Sequence, residues 1–341
     1  MDIALLRALS KLYGAVIRLR KDWRDGLGPS VPIVSIGNLT VGGNGKTPIV
    51  VFLARQAAAV KRVGIISRGY GRRGCGVRVV AKPGMLPISV ELAGDEPTMV
   101  AEQVPEATVV VGRDRVAAAA CAVEMGAELL IVDDGFQHRR LRRSVDIVAI
   151  DSERLFGNGE LLPVGPLREP LAALNRADQI WMTRADRSTT FGGLRIANKP
   201  VVVTEMQPTT LLRVDGLSAQ LDHLRDRRAV ACCGIAHAEP FYTMLQQQVA
   251  TLVATRTLPD HVRYGATDVA QIADWATAHQ VELILVTHKD LVKLRPHWKQ
   301  RDLHRRLELW AVIEELRVVT GEKAVSQLLS DVCGVKVGNC G

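Results

Sequence analysis

The stretch Val34 to Pro48, V-S-I-G-N-L-T-V-G-G-N-G-K-T-P, constrains this chain more than any other. An apolar run passes into glycines and then into Lys-Thr at the head of an apparent helix. In that arrangement a backbone folds closely around phosphate while free N–H groups at the helix N-terminus face it. Gly42, Gly43, Asn44, Gly45, Lys46 and Thr47 are therefore read as a site for the phosphates of ATP. The glycines permit backbone conformations that a side chain would block, Lys46 reaches the outer phosphates, and the Thr47 hydroxyl ligates Mg²⁺. The strict G-x-x-x-x-G-K-[ST] pattern would have glycine at position 40, where this chain has Thr40, but the glycines nearest the phosphates are kept.

Such a loop needs a carboxylate on a neighbouring strand to hold the metal. The apolar run Leu129 to Val132 ends directly in Asp133-Asp134, which would stand at the carboxyl end of a sheet beside the phosphates. The pattern around it agrees. From Val31 onward short β-branched runs alternate with helical stretches, with candidate strands Ile33 to Ile36, Val63 to Ser67, Thr108 to Val111, Leu129 to Val132, Ile147 to Ile150 and Gln179 to Met182. This predicts an α/β fold with a mostly parallel sheet covered by helices. The extended run from Pro200 to Val214 has no helix after it and suits a connecting ribbon. Beyond it, strands at Ala229 to Cys233 and Leu283 to Val286 with helices near 239–250 and 267–279 predict a second, smaller α/β unit. The expected division is an N-terminal helix (1–22), a phosphate-loop domain (23–199), a linking ribbon (200–222) and the smaller domain (223–335).

Residues 3–20 place Leu5, Leu9, Leu12, Val16 and Leu19 at helical spacing, with Arg7, Lys11 and Arg18 among them. Those charges exclude a spanning helix, and their scatter does not suit a signal peptide. Two readings stay open: a helix packed on its own domain, or a basic amphipathic helix lying in a membrane interface. The formal charge of +8 favours an anionic partner. With only 4% aromatic residues and no basic stretch interleaved with aromatics, nucleic acid is not the expected one. The six cysteines (Cys75, Cys121, Cys232, Cys233, Cys333, Cys340) form no CxxC pair and read as reduced thiols of a cytoplasmic protein.

Further polar clusters follow the candidate strands. S-R-G-Y-G-R places Arg68 and Arg72 on a flexible backbone suited to a phosphate-bearing substrate. G-D-E-P sets Asp95 and Glu96 before an apparent helix, where they would either act or simply cap it. Phe156 to Glu169 is a Gly/Pro-stiffened loop ending in Arg168-Glu169, and His261 lies in L-P-D-H of the second unit, where it could act as a base if the domains close. His138, His237 and His288 share no metal-ligand spacing.

Taken together and in this order, G-N-L-T-V-G-G-N-G-K-T-P, S-R-G-Y-G-R, G-D-E-P, D-D-G-F-Q-H, F-G-N-G with L-P-V-G-P-L-R-E, P-D-H and T-H-K-D-L-V-K resemble the tetraacyldisaccharide 4'-kinase family of lipid A synthesis. The resemblance runs from Leu12 to about Lys293. It implies transfer of the γ-phosphoryl group of ATP, with Mg²⁺, to the 4'-hydroxyl of an acylated glucosamine disaccharide 1-phosphate at the cytoplasmic face of the inner membrane. It implies peripheral attachment through the N-terminal helix. It also implies that Asp133, Asp134, Gln137 and Glu96 lie around the metal and that Asp95 orients His261 as the base. Arg115, Arg168 and Glu169 would help order substrate, metal or phosphates. The chain departs from the family pattern in G-I-A-H-A-E-P-F, where G-I-G followed closely by proline is usual, and at His288, where glutamate is usual. Two rivals keep the phosphate loop but change the acceptor: a membrane-associated ATPase that switches partners, and a small-molecule kinase without membrane contact.

Overall fold

The structure is a computed structural model and describes residues 3–19, 26–185, 199–300, 303 and 306–334. Cys340, residues 20–22 of the expected N-terminal helix and residue 335 at the expected end of the smaller domain lie outside the described residues.

The first half runs α1 (Ile3–Leu19), β1 (Ile33–Gly37), α2 (Lys46–Ala58), β2 (Val63–Ser67), β3 (Arg78–Ala81), α3 (Val90–Ala93), α4 (Asp95–Gln103), β4 (Thr108–Val111), α5 (Arg115–Glu124), β5 (Leu129–Asp133), β6 (Val145–Asp151) and β7 (Gln179–Thr183). The second half runs β8 (Val201–Arg213), β9 (Ser218–Gln220), β10 (Arg228–Cys233), α6 (Glu239–Gln246), β11 (Thr251–Thr257), α7 (Ala266–Ala278), β12 (Leu283–Thr287), α8 (His288–Gln300), β13 (Glu308–Thr320) and α9 (Glu322–Cys333). All six strands expected before residue 200 are present. Among the described residues they pair in the order β7-β6-β1-β5-β2-β4, all parallel, with the short β3 added antiparallel at the edge. Their near-continuous apolar composition follows from burial on both faces, with β1, β2, β4, β5 and β7 buried throughout.

The second half is not a separate sheet. β8 pairs parallel with β7 through Ile180↔Val201 and antiparallel with β13 from Arg213↔Trp310 to Val203↔Thr320. The expected ribbon thus has β13 as its other strand, from a segment assigned by sequence to the smaller domain. One sheet continues through β13 into β12, β10 and β11. Helix α9 also leaves the 223–335 grouping. Its Val325, Leu328, Leu329 and Val332 pack with Ile49, Val50 and Leu53 of α2 in the core of the first half. The second half keeps its own cores, with Ile272, Leu291, Leu294 and Trp298 on one face and Phe241, Leu245 and Trp310 on the other.

Helix α1 forms where the heptad-like spacing put it, but its leucines face outward. Leu5, Leu9, Leu12, Val16 and Leu19 are all exposed, Leu19 at 82%. The face toward the protein is instead Ser10, Tyr13, Gly14 and Ile17. Ser10 donates to the Leu161 carbonyl at 3.0 Å and Tyr13 to the Arg168 carbonyl at 2.8 Å. Both acceptors belong to the stiff loop expected to serve the site. Among the described residues no helix is long and apolar enough to cross a membrane.

Candidate active site

The site lies at the carboxyl ends of β1, β5 and β7, where helix N-termini and strand ends converge. The pairing Ile36↔Asp133 sets the end of β5 beside the exit of β1. The turn after Asp133 then folds back so tightly that a Cβ on Gly37 would lie 2.3 Å from the Phe136 Cβ, so only glycine fits there. Between β1 and α2 the phosphate loop is pinned from several sides. Asn44 donates to Thr40 Oγ1 at 2.6 Å, and Thr183 at the end of β7 donates to the Asn44 carbonyl at 3.1 Å. Gly45 has φ 68°, in the left-handed region, and a Cβ there would press on Thr183 at 3.0 Å.

Lys46, the first residue of α2, donates to Asn38 Oδ1 at 3.1 Å and lies 3.4 Å from Asp134 Oδ1. Arg168 grips both oxygens of Asp134, at 3.2 and 3.1 Å. Burial pushes the Asp134 carboxyl up, but the charges of Lys46 and Arg168 outweigh it and hold the group below the ordinary carboxylate range. Asp133 behaves in the opposite way. Burial first and the nearby Glu96 second push it up to about 7, against the pull of Lys46 and Arg115. Two adjacent carboxylates with opposite shifts suit a site that meets a further positive charge.

The metal fit rests on orphaned oxygens. Asp133 Oδ1 and Gln137 Oε1 are buried without a hydrogen-bond partner, while the Gln137 amide donates to the Asn38 carbonyl at 2.9 Å, fixing which end is free. Hard oxygen donors of this kind suit Mg²⁺. Among the described residues no three His, Cys, Asp or Glu side chains form a complete metal cage. Mg²⁺ does not require one, because it is ordinarily held by one or two carboxylates together with phosphates and water.

Across from the loop, the two halves of the chain meet at Asp95 and His261. Asp95 opens α4 and is 8% exposed; its Oδ2 lies 3.0 Å from His261 Nδ1. Burial pushes the Asp95 carboxyl up, and the hydrogen bond to His261 with the charge of Lys289 brings it below its ordinary value. The same hydrogen bond raises His261, against burial and the charge of Lys289. His261 has φ 55°, and its N–H donates to Asp260 Oδ1 at 2.9 Å. Tyr70, from the S-R-G-Y-G-R loop, sets its ring 5.1 Å from the imidazole, and Arg263 donates to the Gly71 carbonyl at 2.7 Å. The dyad is therefore assembled by contacts between halves of the chain.

The arginines and glutamate expected to bind substrate separate into different environments. Arg168 is half-buried and engaged with Asp134, and Arg68 is exposed after β2. Arg72 donates to the Gly76 carbonyl and closes its own loop. Arg115 is only 2% exposed and donates to the Gly112 carbonyl. Burial lowers it to about 10, so it remains a cation and acts on Asp133 and Asp134 through the protein interior, out of a substrate's reach. Glu169, 2% exposed, is enclosed by Arg139 at 2.5 Å and Arg176 at 2.9 Å. It braces the loop and has no open face for a substrate.

Several working groups were not singled out from sequence. Asn38 follows β1 and Thr183 ends β7, each just beyond the strand expected from sequence and given no role there. Lys289 and Lys293 stand in the quoted T-H-K-D-L-V-K motif, and their i,i+4 spacing on a helix already put them on one face.

A family model described as Tetraacyldisaccharide-1-P 4'-kinase matches residues 3–333. The chain belongs to this family. Tetraacyldisaccharide 4'-kinase of Syntrophotalea carbinolica is 40% identical over 301 residues, covering 85% of this chain and 83% of that protein. Its counterpart in Geobacter sulfurreducens is 39% identical over 331 residues, covering 92% and 89%. A solved structure of LpxK from Aquifex aeolicus in complex with ATP superposes with a TM-score of 0.78 at 30% identity, covering 96% of this chain and 98% of that one. Within the tetraacyldisaccharide 4'-kinase family the substitution at His288 has a local partner set here. His288 Nε2 lies 2.9 Å from Glu102 Oε2 and its Nδ1 lies 3.0 Å from Gln103 Nε2, so it ties α8 to α4. In the other departing segment, Gly234 donates its N–H to the buried Asp290 at 3.0 Å, which also accepts from Tyr264 at 3.0 Å and Thr287 at 2.7 Å.

Proposed function

We propose that this kinase moves the γ-phosphoryl group of ATP to the 4'-hydroxyl of an acylated glucosamine disaccharide 1-phosphate through the residues just described. The reading rests on one observation above all: Asp95 and His261, from different halves of the chain, form a hydrogen-bonded pair next to Glu96, whose charge reaches Asp133 beside the phosphate loop. In this reading the free N–H groups at the start of α2 and the Lys46 ammonium receive the phosphates of ATP. Thr47, Asp133, Asp134, Gln137 and Glu96 would hold Mg²⁺. Mg²⁺, when bound, supplies positive charge against which phosphate charge develops.

His261 Nε2 takes the proton of the sugar hydroxyl as its oxygen bonds to the γ-phosphorus. The bond from that phosphorus to the β,γ-bridging oxygen breaks, and ADP leaves with the electron pair. Asp95, accepting from Nδ1, orients the ring and stabilises the imidazolium formed, a base-and-orienter arrangement. Contacts such as Arg263 to Gly71 and His288 to Glu102 keep the halves together over the reacting groups and limit water there.

The exposed face of α1 supports attachment to the cytoplasmic surface of the inner membrane. Five apolar side chains in a row along one helix, flanked by Arg7 and Lys11, are unusual for a surface bathed only in water and suit an anionic lipid interface. A helix so placed, resting on the loop that carries Arg168, would bring lipid toward the site. The test is phosphate transfer from labelled Mg²⁺-ATP to the disaccharide lipid. Label appearing on the 4'-position supports the reading, and ATP hydrolysis unchanged by the lipid with none labelled rejects it.

A further inference from the structure

Helix α8 sends two lysines toward the dyad. Lys289 Nζ and Lys293 Nζ each lie 3.9 Å from Asp95 Oδ2. Lys293 is otherwise engaged with Asp290 at 3.2 Å and with the face of Tyr264 at 5.2 Å. Lys289 reaches further into the pair. Its Nζ is 3.1 Å from Asp260 Oδ1, 3.7 Å from Glu96 Oε1 and 3.4 Å from His261 Nε2.

An ammonium can only donate hydrogen bonds, and an ionised carboxylate can only accept them. His261 is held between one of each, with Asp95 at Nδ1 and Lys289 at Nε2. A neutral ring satisfies both neighbours in a single tautomer, with the proton on Nδ1 and a bare lone pair on Nε2. We propose that Lys289 is a positioning residue for phosphoryl transfer, holding His261 in the tautomer whose Nε2 can accept the hydroxyl proton. The inference rests on His261 being the base.

Two features carry it beyond a chance ion pair. The same Asp260 Oδ1 that Lys289 grips also accepts the His261 N–H and so holds that residue at its positive φ. A non-glycine residue is disfavoured in the left-handed region, and the bond to Asp260 offsets that cost. Lys289 thereby fixes both the ring and the backbone beneath it. The contact to Nε2 is also the longer of the two hydrogen bonds Lys289 makes. An incoming hydroxyl can replace it while Lys289 stays anchored on Asp260.

The groups facing the imidazole are Asp95 from α4, Tyr70 from the loop after β2, Asp260 from its own loop and Lys289 from α8, with Glu96, Arg263 and Lys293 on the residues around them. Of the cations, Lys289 alone is in hydrogen-bond range of Nε2 among the described residues. A proton on Nε2 would point at its ammonium, so Lys289 opposes the pull of Asp95 toward the imidazolium, in the direction in which its charge acts on His261.

The test uses the full chain labelled with ¹⁵N in its histidine rings and compares wild type, Lys289→Met, Lys289→Gln and Lys289→Arg. Wild-type His261, assigned by its loss in His261→Ala, should show the Nδ1-protonated neutral signature at a pH above the acid limb of the turnover profile, and the variants are compared at that same pH. Lys289→Met should show the imidazolium or a tautomer mixture. Its kcat should fall about tenfold or more, part of the roughly 10²- to 10⁴-fold that a base supplies, with KM for ATP little changed. Lys289→Arg should restore both. Lys289→Gln keeps a donor for Asp260 without the charge, and should reproduce the Met result in a folded protein if Met disturbs folding. A wild-type tautomer in both uncharged variants overturns the proposal, whether or not kcat falls. Wild-type turnover in His261→Ala would instead reject the base itself, a separate outcome.

Discussion

His261 Nδ1 lies 3.0 Å from Asp95 Oδ2 across 166 residues of sequence. Asp95 is the first residue of α4, and His261 sits in the loop between β11 and α7, so the bond exists only when the two halves of the chain are docked. Its electrostatics set a pH dependence. His261 accepts a proton only when neutral, and the hydrogen bond to Asp95 raises it above the ordinary imidazole value of 6.5. Turnover should therefore fall on the acid side with an apparent pKa above 6.5, and Asp95→Asn should move that limb to lower pH while reducing the maximum. A pH–kcat/KM profile checks both. An acid limb unmoved by Asp95→Asn would detach it from this imidazole.

Arg168 and Glu169 are neighbours with different consequences. Arg168 is partly open and bound to Asp134, so Arg168→Gln should lower kcat/KM with little loss of thermal stability. Glu169 lies buried between Arg139 and Arg176, so Glu169→Gln removes the negative charge that both guanidinium groups face. Breaking a buried pair on one side costs about 3–5 kcal/mol. Thermal melts beside steady-state kinetics separate the two. Equal stability losses would mean that the division between active and bracing residue is wrong.

The outward face of α1 predicts lipid binding that can be removed without harming the fold. Leu9 and Leu12 are exposed, and each leucine buried in a lipid interface would contribute about 1.5–3 kcal/mol. Leu9→Asp with Leu12→Asp should thus reduce co-sedimentation with anionic vesicles by more than tenfold, with ATP binding unchanged. Vesicle binding that survives the double change would assign attachment to another surface.

Much of this was legible in the sequence because the determinants are local. A β-branched run before G-G-N-G-K-T and another ending in Asp133-Asp134 specify strands, a loop and a pair of carboxylates at strand ends without reference to anything distant. The helical spacing of Leu5 to Leu19 likewise gave α1, but spacing alone cannot say which way an apolar face points. That required the contacts of Ser10 and Tyr13 with the stiff loop. What sequence reading missed depends on long-range pairing. β13 is polar along its middle, with Glu314, Glu315 and Arg317, and becomes a ribbon strand through its register with β8. Helix α9 returns to the first core from the far end of the chain. Arg115 and Glu169 were expected to help order substrate, metal or phosphates, and tertiary burial, which no local pattern shows, makes them an interior cation and a brace.

The most direct measurement is single-turnover phosphate transfer to the disaccharide lipid by His261→Ala, made beside an ATP-binding titration of the same protein. Nucleotide affinity should stay close to wild type while the transfer rate falls by about 10²- to 10⁴-fold, the usual contribution of a positioned base. Transfer at the wild-type rate with ATP bound would contradict it.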